Sequence, residues 1–326
     1  MTGNGALSWR PIERGDVAAW AAMLAAVGNA DGDDHDSYGE QVLLDLLGLP
    51  GCDFANDSIA AYDGTVMAAC AFLMARPAAD PVHAMRFEAA VHPDYRRRGL
   101  GGLVLDWVEQ KAVPLHEKRH PGRPLALHGW SKSDNAGAEA LFATRGYRPV
   151  RWWHAMRMDL SAVPSAQAAP DGVEIVGLTP DRWEDARLVR NEAFQDHWGS
   201  NETSAEVWSH SISQQVFRPR FSYVAYADGQ AIGVLLSHEY EEHAKLTGTR
   251  DLYVAIVGTR RAGRNRGIAS ALLSRALADG KADGFGTSSL LVDGDSLTGA
   301  VGLYERIGYT VEYTYATQAK DLIPPG

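Results

Sequence analysis

Residues 96–102 read Arg-Arg-Arg-Gly-Leu-Gly-Gly, and residues 264–270 read Arg-Asn-Arg-Gly-Ile-Ala-Ser. Each stretch runs into an apolar segment with helical spacing, "LVLDWVEQKA" and "ALLSRALADGKA". The first turn of a helix has unpaired backbone N–H groups and a partial positive charge. Glycine lets a ligand approach those groups, so a glycine turn at a helix start suits a phosphate. Neighbouring arginines add charge-assisted hydrogen bonds. The chemistry this combination points to is the holding of one polyanion, a diphosphate being a usual occupant. The common nucleotide motifs do not fit. No Gly-Lys-Ser/Thr follows either turn, and each is preceded by a long hairpin pattern rather than by the first strand of a βαβ unit.

The two stretches are 264 − 96 = 168 residues apart, and the elements around them repeat in the same order. A hairpin signal, "SIAAYDGTVMAACAFLMA" or "FSYVAYADGQAIGVLLSHEY", has Asp63-Gly64 or Asp228-Gly229 at its turn. A strand pattern leads to the arginines, 85–93 in the first half and 251–259 in the second. After the glycine helix come short strand patterns at 124–130 and 287–293. Short helices then end at Gly146 and Gly308, each followed by tyrosine. Residues 161–172 are rich in Ala, Ser and Pro and read as a linker. The expected organisation is therefore 1–160, a linker at 161–172, and 173–326. The fold class is α/β (α+β): two tandem domains, each a mixed, largely antiparallel twisted sheet flanked by helices.

Composition narrows the function. Net charge is −10; residues 1–163 carry 16 Lys and Arg against 20 Asp and Glu, or −4, which leaves −6 for the rest. Neither half has the basic balance of a general nucleic-acid binder. No run of eighteen apolar residues marks a membrane span, and the first fifteen residues lack the pattern of a secretion signal. Cys52 and Cys70 sit in no metal or redox spacing. A cytoplasmic chain with free thiols and no metal site is expected, its oligomeric state left open.

The pattern Arg-x-x-Gly-x-Gly/Ala after "VHPDY" resembles the acyl-CoA loop of the GNAT acetyltransferase superfamily. Arg96, Gly99 and Gly101 match it in the first half; Arg264, Gly267 and Ala269 match it in the second. A second signature is similar too: Asn135, Ala138, Phe142, Gly146 and Tyr147, then Ala300, Tyr304, Gly308 and Tyr309. The resemblance covers nearly the whole chain and implies a tandem member of that superfamily. It implies that pantetheine pairs with the strand before each loop and that pyrophosphate sits on loop N–H groups. Carried over, the donor residues are Val91, Arg96, Arg97, Arg98, Gly99, Leu100, Gly101, Gly102 and Asn135. In the second half they are Ile256, Val257, Gly258, Arg264, Asn265, Arg266, Gly267, Ile268, Ala269, Ser270 and Ser296, with Ser296 near the place of an asparagine. The strand ends are set at 89–91 and 256–258, and from the strand valine to the glycine "VGTRRAGRNRG" is two residues longer than "VHPDYRRRG".

The same resemblance implies acyl transfer from acetyl-CoA to an amine. A tyrosine in the last short helix often gives a proton to the leaving thiolate, and Tyr304 holds that position. Phe142, its counterpart, has no proton to give, so the second half is the expected catalytic domain. No carboxylate carries over before the last helix, where Leu291 stands. Asp251 is the candidate base, acting through water, with Glu88 as its first-half counterpart. In "FQDHWGSNE", His197 could take a proton, while Asp196 and Trp198 could bind the acceptor. The first-half loop "NADGDDHDSYG" (Asp31, Asp33, Asp34, His35, Asp36) resembles a calcium loop only loosely and reads as a solvated acidic loop. Other readings are a non-catalytic acyl-CoA sensor, or a donor arriving on an acyl carrier protein or an aminoacyl-tRNA. Acceptors range from small molecules to peptides.

Overall fold

The computed structural model describes residues 7–33, 39–75, 81–163, 167–296 and 299–324. It packs as two units, one of residues 1–152 with 314–326, the other of residues 153–313.

In the first unit, β1 (Ser8–Arg10) leads to α1 (Val17–Asp31), α2 (Glu40–Leu47) and the one-turn α3 (Phe54–Asp57). β2 (Ser58–Asp63), β3 (Val66–Met74) and β4 (His83–Val91) form an antiparallel meander. Asp63 still pairs with Val66, so the hairpin loop is Gly64-Thr65, one residue later than the sequence signal suggests. α4 (Leu100–Arg119) crosses over to β5 (Leu125–Lys132), which runs parallel to β4. α5 (Ala136–Thr144) follows. The helix α4 buries Leu100, Val104, Leu105, Val108 and Ala112, one face of a 3.6-residue period, against the sheet. Trp20 of α1 closes the other face with Phe54 and Phe72.

In the second unit, β6 (Arg148–Asp159) contributes residues from Trp153 onward. β7 (Val173–Gly177), α6 (Trp183–Ala193), α7 (Ala205–Ser213), β8 (Tyr223–Ala227) and β9 (Gln230–His238) follow. Then come α8 (Glu241–Thr247), β10 (Asp251–Thr259), α9 (Ile268–Ala282), β11 (Thr287–Asp293), α10 (Ala300–Ile307) and β12 (Thr310–Ile323). β7 to β10 are antiparallel neighbours, and β10 and β11 are parallel. One core packs α9 and α10 on the sheet; a second packs α6 and α7 on the opposite face.

The last strands are exchanged. Tyr315–Ile323 of β12 pair with β5 of the first unit, and Trp153–Asp159 of β6 pair with β11 of the second. A division into 1–160 and 173–326 follows the repeat, whereas the packing divides the chain crosswise at these strands. Two copies of one strand pattern offer a sheet edge equivalent partners, so periodicity alone does not tell which copy pairs with it. The expected linker is also partly anchored. The Gln167 N–H donates to Ser274 Oγ on α9 at 2.8 Å, and the Val173 N–H to the Pro170 carbonyl at 2.9 Å. Residues 164–166 lie outside the described residues.

Candidate active site

The two glycine loops have the same backbone. Arg97 and Gly99 take positive φ values of 63° and 84°, and Asn265 and Gly267 take 62° and 77°. Left-handed residues alternating with ordinary ones turn successive N–H groups to one side, which makes an anion-binding concavity. Gly99 and Gly267 are also the residues before the first helical turn of α4 and α9, where further N–H groups are unpaired. Arg97, Arg98, Gly99, Asn265, Arg266 and Gly267 are exposed. Gly101 and Gly102 have a different role. A Cβ there would lie 2.8 Å from Leu141 and 2.8 Å from Arg145, so both let α4 approach its neighbours.

The leading arginines do not reach outward. The Arg96 guanidinium donates to both oxygens of Asp31 at 2.6 and 2.9 Å, and through Nε to the Val91 carbonyl at 3.3 Å. Arg264 donates to the Ala193 carbonyl at 3.2 Å and lies 3.6 Å from Asp196. Each is therefore an internal tie from the loop to the end of its unit's first long helix. The loop groups left facing solvent are the backbone and the exposed Arg97, Arg98 and Arg266. Arg98 leans over the Tyr95 ring, 4.9 Å from its centroid.

The loops are equal in length, which corrects the expected two-residue difference. Arg260 donates its N–H to Ile232 as His92 does to Ala68, and β10 ends at Thr259 as β4 ends at Val91. Ile256–Gly258 thus stand where Glu88–Ala90 do, one residue off the expected strand end. Glu88 corresponds to Ile256, and because the register shift between Val254 and Ile256 adds one residue to β10, the counterpart of Asp251 is Ala84.

The strands under the loops differ. β3 and β4 pair without interruption from Met74↔Arg86 to Ala69↔Val91. β9 and β10 shift register between Val254 and Ile256. A bulge leaves one residue's backbone groups out of the ladder and bends the strand. β10 pairs with β11 only from Asp251 to Tyr253, then diverges. Only the second unit therefore combines a bulge, a diverging strand pair and a nest-shaped loop.

Tyr304 sits in the buried cluster with Val254, Val292 and Ile268, and Val257 packs against that cluster. Burial alone pushes its phenol well above the usual tyrosine range. Its ring meets Tyr309 edge-on at 5.8 Å. Phe142 meets Tyr147 in the same way at 5.2 Å, so the two positions are structural counterparts. Asn135 caps α5 by accepting from the Ala138 N–H at 3.0 Å, while its Nδ2 donates to Asp31 at 3.3 Å. Ser296 does not take that place: α10 is capped by Gly299, and the Ser296 N–H donates to the Asp293 carbonyl at 3.1 Å. Residues 297 and 298 lie outside the described residues.

Three candidates are held by specific contacts. Asp196 accepts from Arg261 and lies beside Arg264, and these cations hold its carboxyl below the usual range. These contacts tie it to the second loop. Asp196→Ala should therefore alter acetyl-CoA affinity and leave the acceptor KM unchanged, which steady-state kinetics in both substrates would check. Asp251 is buried, accepts from Thr287 at 2.6 Å and from Ser289, and lies 3.6 Å from Arg157. That arrangement is a structural anchor. Asp251→Ala should lower stability by about 3 kcal/mol, the scale for removing one partner of a buried pair, while the folded fraction keeps its turnover number; denaturant melts alongside kcat would show this. His197 lies in the turn that follows α6. Its Nδ1 lies 3.2 Å from the Trp198 carbonyl and its Nε2 lies 4.0 Å from Asp293. Trp153 packs near both His197 (5.8 Å) and Trp198 (6.2 Å).

Sequence reasoning missed Asp293, Trp153 and Lys132, whose ammonium donates to the Asp31 carbonyl at 3.0 Å. Of the acidic loop, Asp31 and Asp33 are placed, with Asp33 accepting from the Tyr315 hydroxyl at 2.6 Å. Asp34, His35 and Asp36 lie outside the described residues. Among the described residues no group of three or more metal-binding side chains converges, and no helix is long and apolar enough to cross a membrane.

A nest-shaped loop on a helix start, a bulged strand diverging from a parallel neighbour, and a buried tyrosine in the following helix define an acyl-CoA-dependent acyltransferase fold. The chain belongs to the Acetyltransferase (GNAT) family, whose model matches residues 32–147 and 183–309. It is 31% identical to a mycothiol acetyltransferase of Thermobispora bispora over 91% of this chain and 93% of that protein. It is 29% identical to one of Catenulispora acidiphila over 92% and 94%. Among solved structures it resembles a GCN5-related N-acetyltransferase of Sphaerobacter thermophilus, with a TM-score of 0.78, 27% identity, and 98% and 97% of the two chains covered. The fold also matches a tandem GNAT protein of the clavulanic acid biosynthesis pathway, at a TM-score of 0.71 and 16% identity over 98% and 100%.

Proposed function

We propose that the chain moves an acetyl group from acetyl-CoA to the amine of a small molecule, and that the second unit does the chemistry. The bulge between Val254 and Ile256, set where β10 leaves β11, is the observation that carries this reading. Backbone groups freed there can pair with the pantetheine arm. The nest at Arg264–Gly267 takes the pyrophosphate, and its counterpart at Arg96–Gly99 lacks a bulged strand beneath it. Attack by the amine on the thioester carbon forms the C–N bond. The C–S bond then breaks with its electron pair on sulfur, and the Tyr304 hydroxyl supplies the proton that sulfur takes. The amine, attacking as its free base, loses one proton from nitrogen, which restores Tyr304 through solvent. Burial keeps the Tyr304 phenol protonated, so its proton is in place when the sulfur leaves.

The first unit has Phe142 and an unbroken β3–β4 ladder, features that support a binding or scaffolding role for that half. The relatives' name makes deacetylated mycothiol the first acceptor to try, with D-glucosamine and cysteine methyl ester beside it. The test is CoA-thiol release from acetyl-CoA with each amine. Transfer to at least one of them supports the reading, and binding of acetyl-CoA without transfer to any amine would favour a sensor.

A further inference from the structure

We propose that His238, seated against Tyr253, receives the acceptor amine in the second unit; this rests on the assignment of acyl transfer to that unit. His238 ends β9 and faces Tyr253 directly across the ladder. Tyr253 is the last residue of β10 to pair with β11, and the bulge follows it at once. The pair therefore stands where the strands begin to part. Directly paired residues on neighbouring strands share a face of the sheet. Leu252 and Val254 enter the cluster under α9, so Tyr253 and His238 face the other way, with Phe217, whose ring is edge-on to His238 at 6.3 Å. The two rings are 6.3 Å apart, and Tyr240 closes the group at 6.2 Å from His238 and 5.6 Å from Tyr253.

The first unit serves as an internal control. Leu236 lies opposite Ile256, and Phe72 opposite Glu88, at matched places in the two repeats. Two residues further on, His238 corresponds to Met74, and Tyr253, which faces His238, corresponds to Arg86, which faces Met74, because the register shift adds one residue to β10. The half with a phenylalanine in place of Tyr304 thus also has a methionine in place of the imidazole. A fold needing only packing at the end of this strand is satisfied by methionine, as the partly buried Met74 demonstrates.

The chemistry that fits is a primary amine reacting as its free base. Such an amine can donate one N–H to a neutral imidazole and keep its lone pair for the thioester carbon. His238 Nδ1 is enclosed without a partner among the described residues. Burial and the charge of Arg218 push the imidazole down to about 4, so it stays an acceptor at neutral pH. The charged and titratable groups around it are Arg218, Glu239, Tyr240 and Tyr253, and Arg218 is itself held by Glu239 at 2.8 Å.

The experiment uses the full chain with acetyl-CoA and the three amines named above. His238→Met, the residue the first unit uses, should lower kcat/KM for the amine about tenfold or more, mainly through the acceptor KM. Acetyl-CoA affinity by calorimetry should stay within about twofold, because the donor loop is untouched. His238→Gln, which keeps an acceptor oxygen, should recover most of the loss. Should the methionine chain melt early, His238→Leu replaces it. A methionine chain as active as the unaltered one, or equal losses in donor affinity and acceptor KM, would overturn the role of His238 alone. An unaltered chain that binds acetyl-CoA but acetylates none of the amines would overturn the transfer reading, and this one with it.

Discussion

Replacing Tyr304 by phenylalanine is expected to lower kcat about a hundredfold or more, the usual cost of losing one positioned proton donor. The ring volume is kept, and the edge-on contact with Tyr309 survives. Acetyl-CoA affinity should change little, because the hydroxyl acts only as the thiolate leaves. Loss confined to kcat is the sign of an interaction made in the transition state. The reverse exchange, Phe142→Tyr, should not create a second activity. It would restore one hydroxyl to a unit whose β4 has no bulge and whose Met74 stands where His238 does.

Gly267→Glu is expected to abolish productive donor binding. A carboxylate about 4 Å from a phosphate charge costs roughly 4 kcal/mol at the effective dielectric of a protein surface, or about a thousandfold in affinity. The left-handed backbone at Gly267 adds about 1–2 kcal/mol of strain for any residue with a Cβ. Calorimetry with acetyl-CoA should show the loss. A circular dichroism spectrum matching the unaltered chain would show that it is local.

What could be read in the sequence was local. The two loops, their helices and the Tyr304–Phe142 difference are short motifs with fixed spacing, and all of them reappear in the structure. The misplaced residues owe their positions to contacts distant in sequence. Asp31 is 65 residues from Arg96, and Asp196 is 65 from Arg261, so nothing local marked either as a loop partner. His238 looked like the tail of an apolar strand; only the ladder register sets it opposite Tyr253. The apparent two-residue difference between the loops came from matching Val91 with Val257, which are similar in type, when Thr259 is the true counterpart. The exchange of last strands is invisible to any pattern, since both strands carry signals that suit both sheets.

The central claim is that chemistry belongs to the second unit alone. Its most direct test is steady-state CoA-thiol release by two chains measured side by side, Gly99→Glu and Gly267→Glu, with deacetylated mycothiol, D-glucosamine and cysteine methyl ester as acceptors. The account predicts that the Gly99→Glu chain keeps turnover within a few-fold of the unaltered chain and that the Gly267→Glu chain loses it. Loss in the Gly99→Glu chain with turnover kept in the Gly267→Glu chain would contradict the account and move the reaction to the first unit.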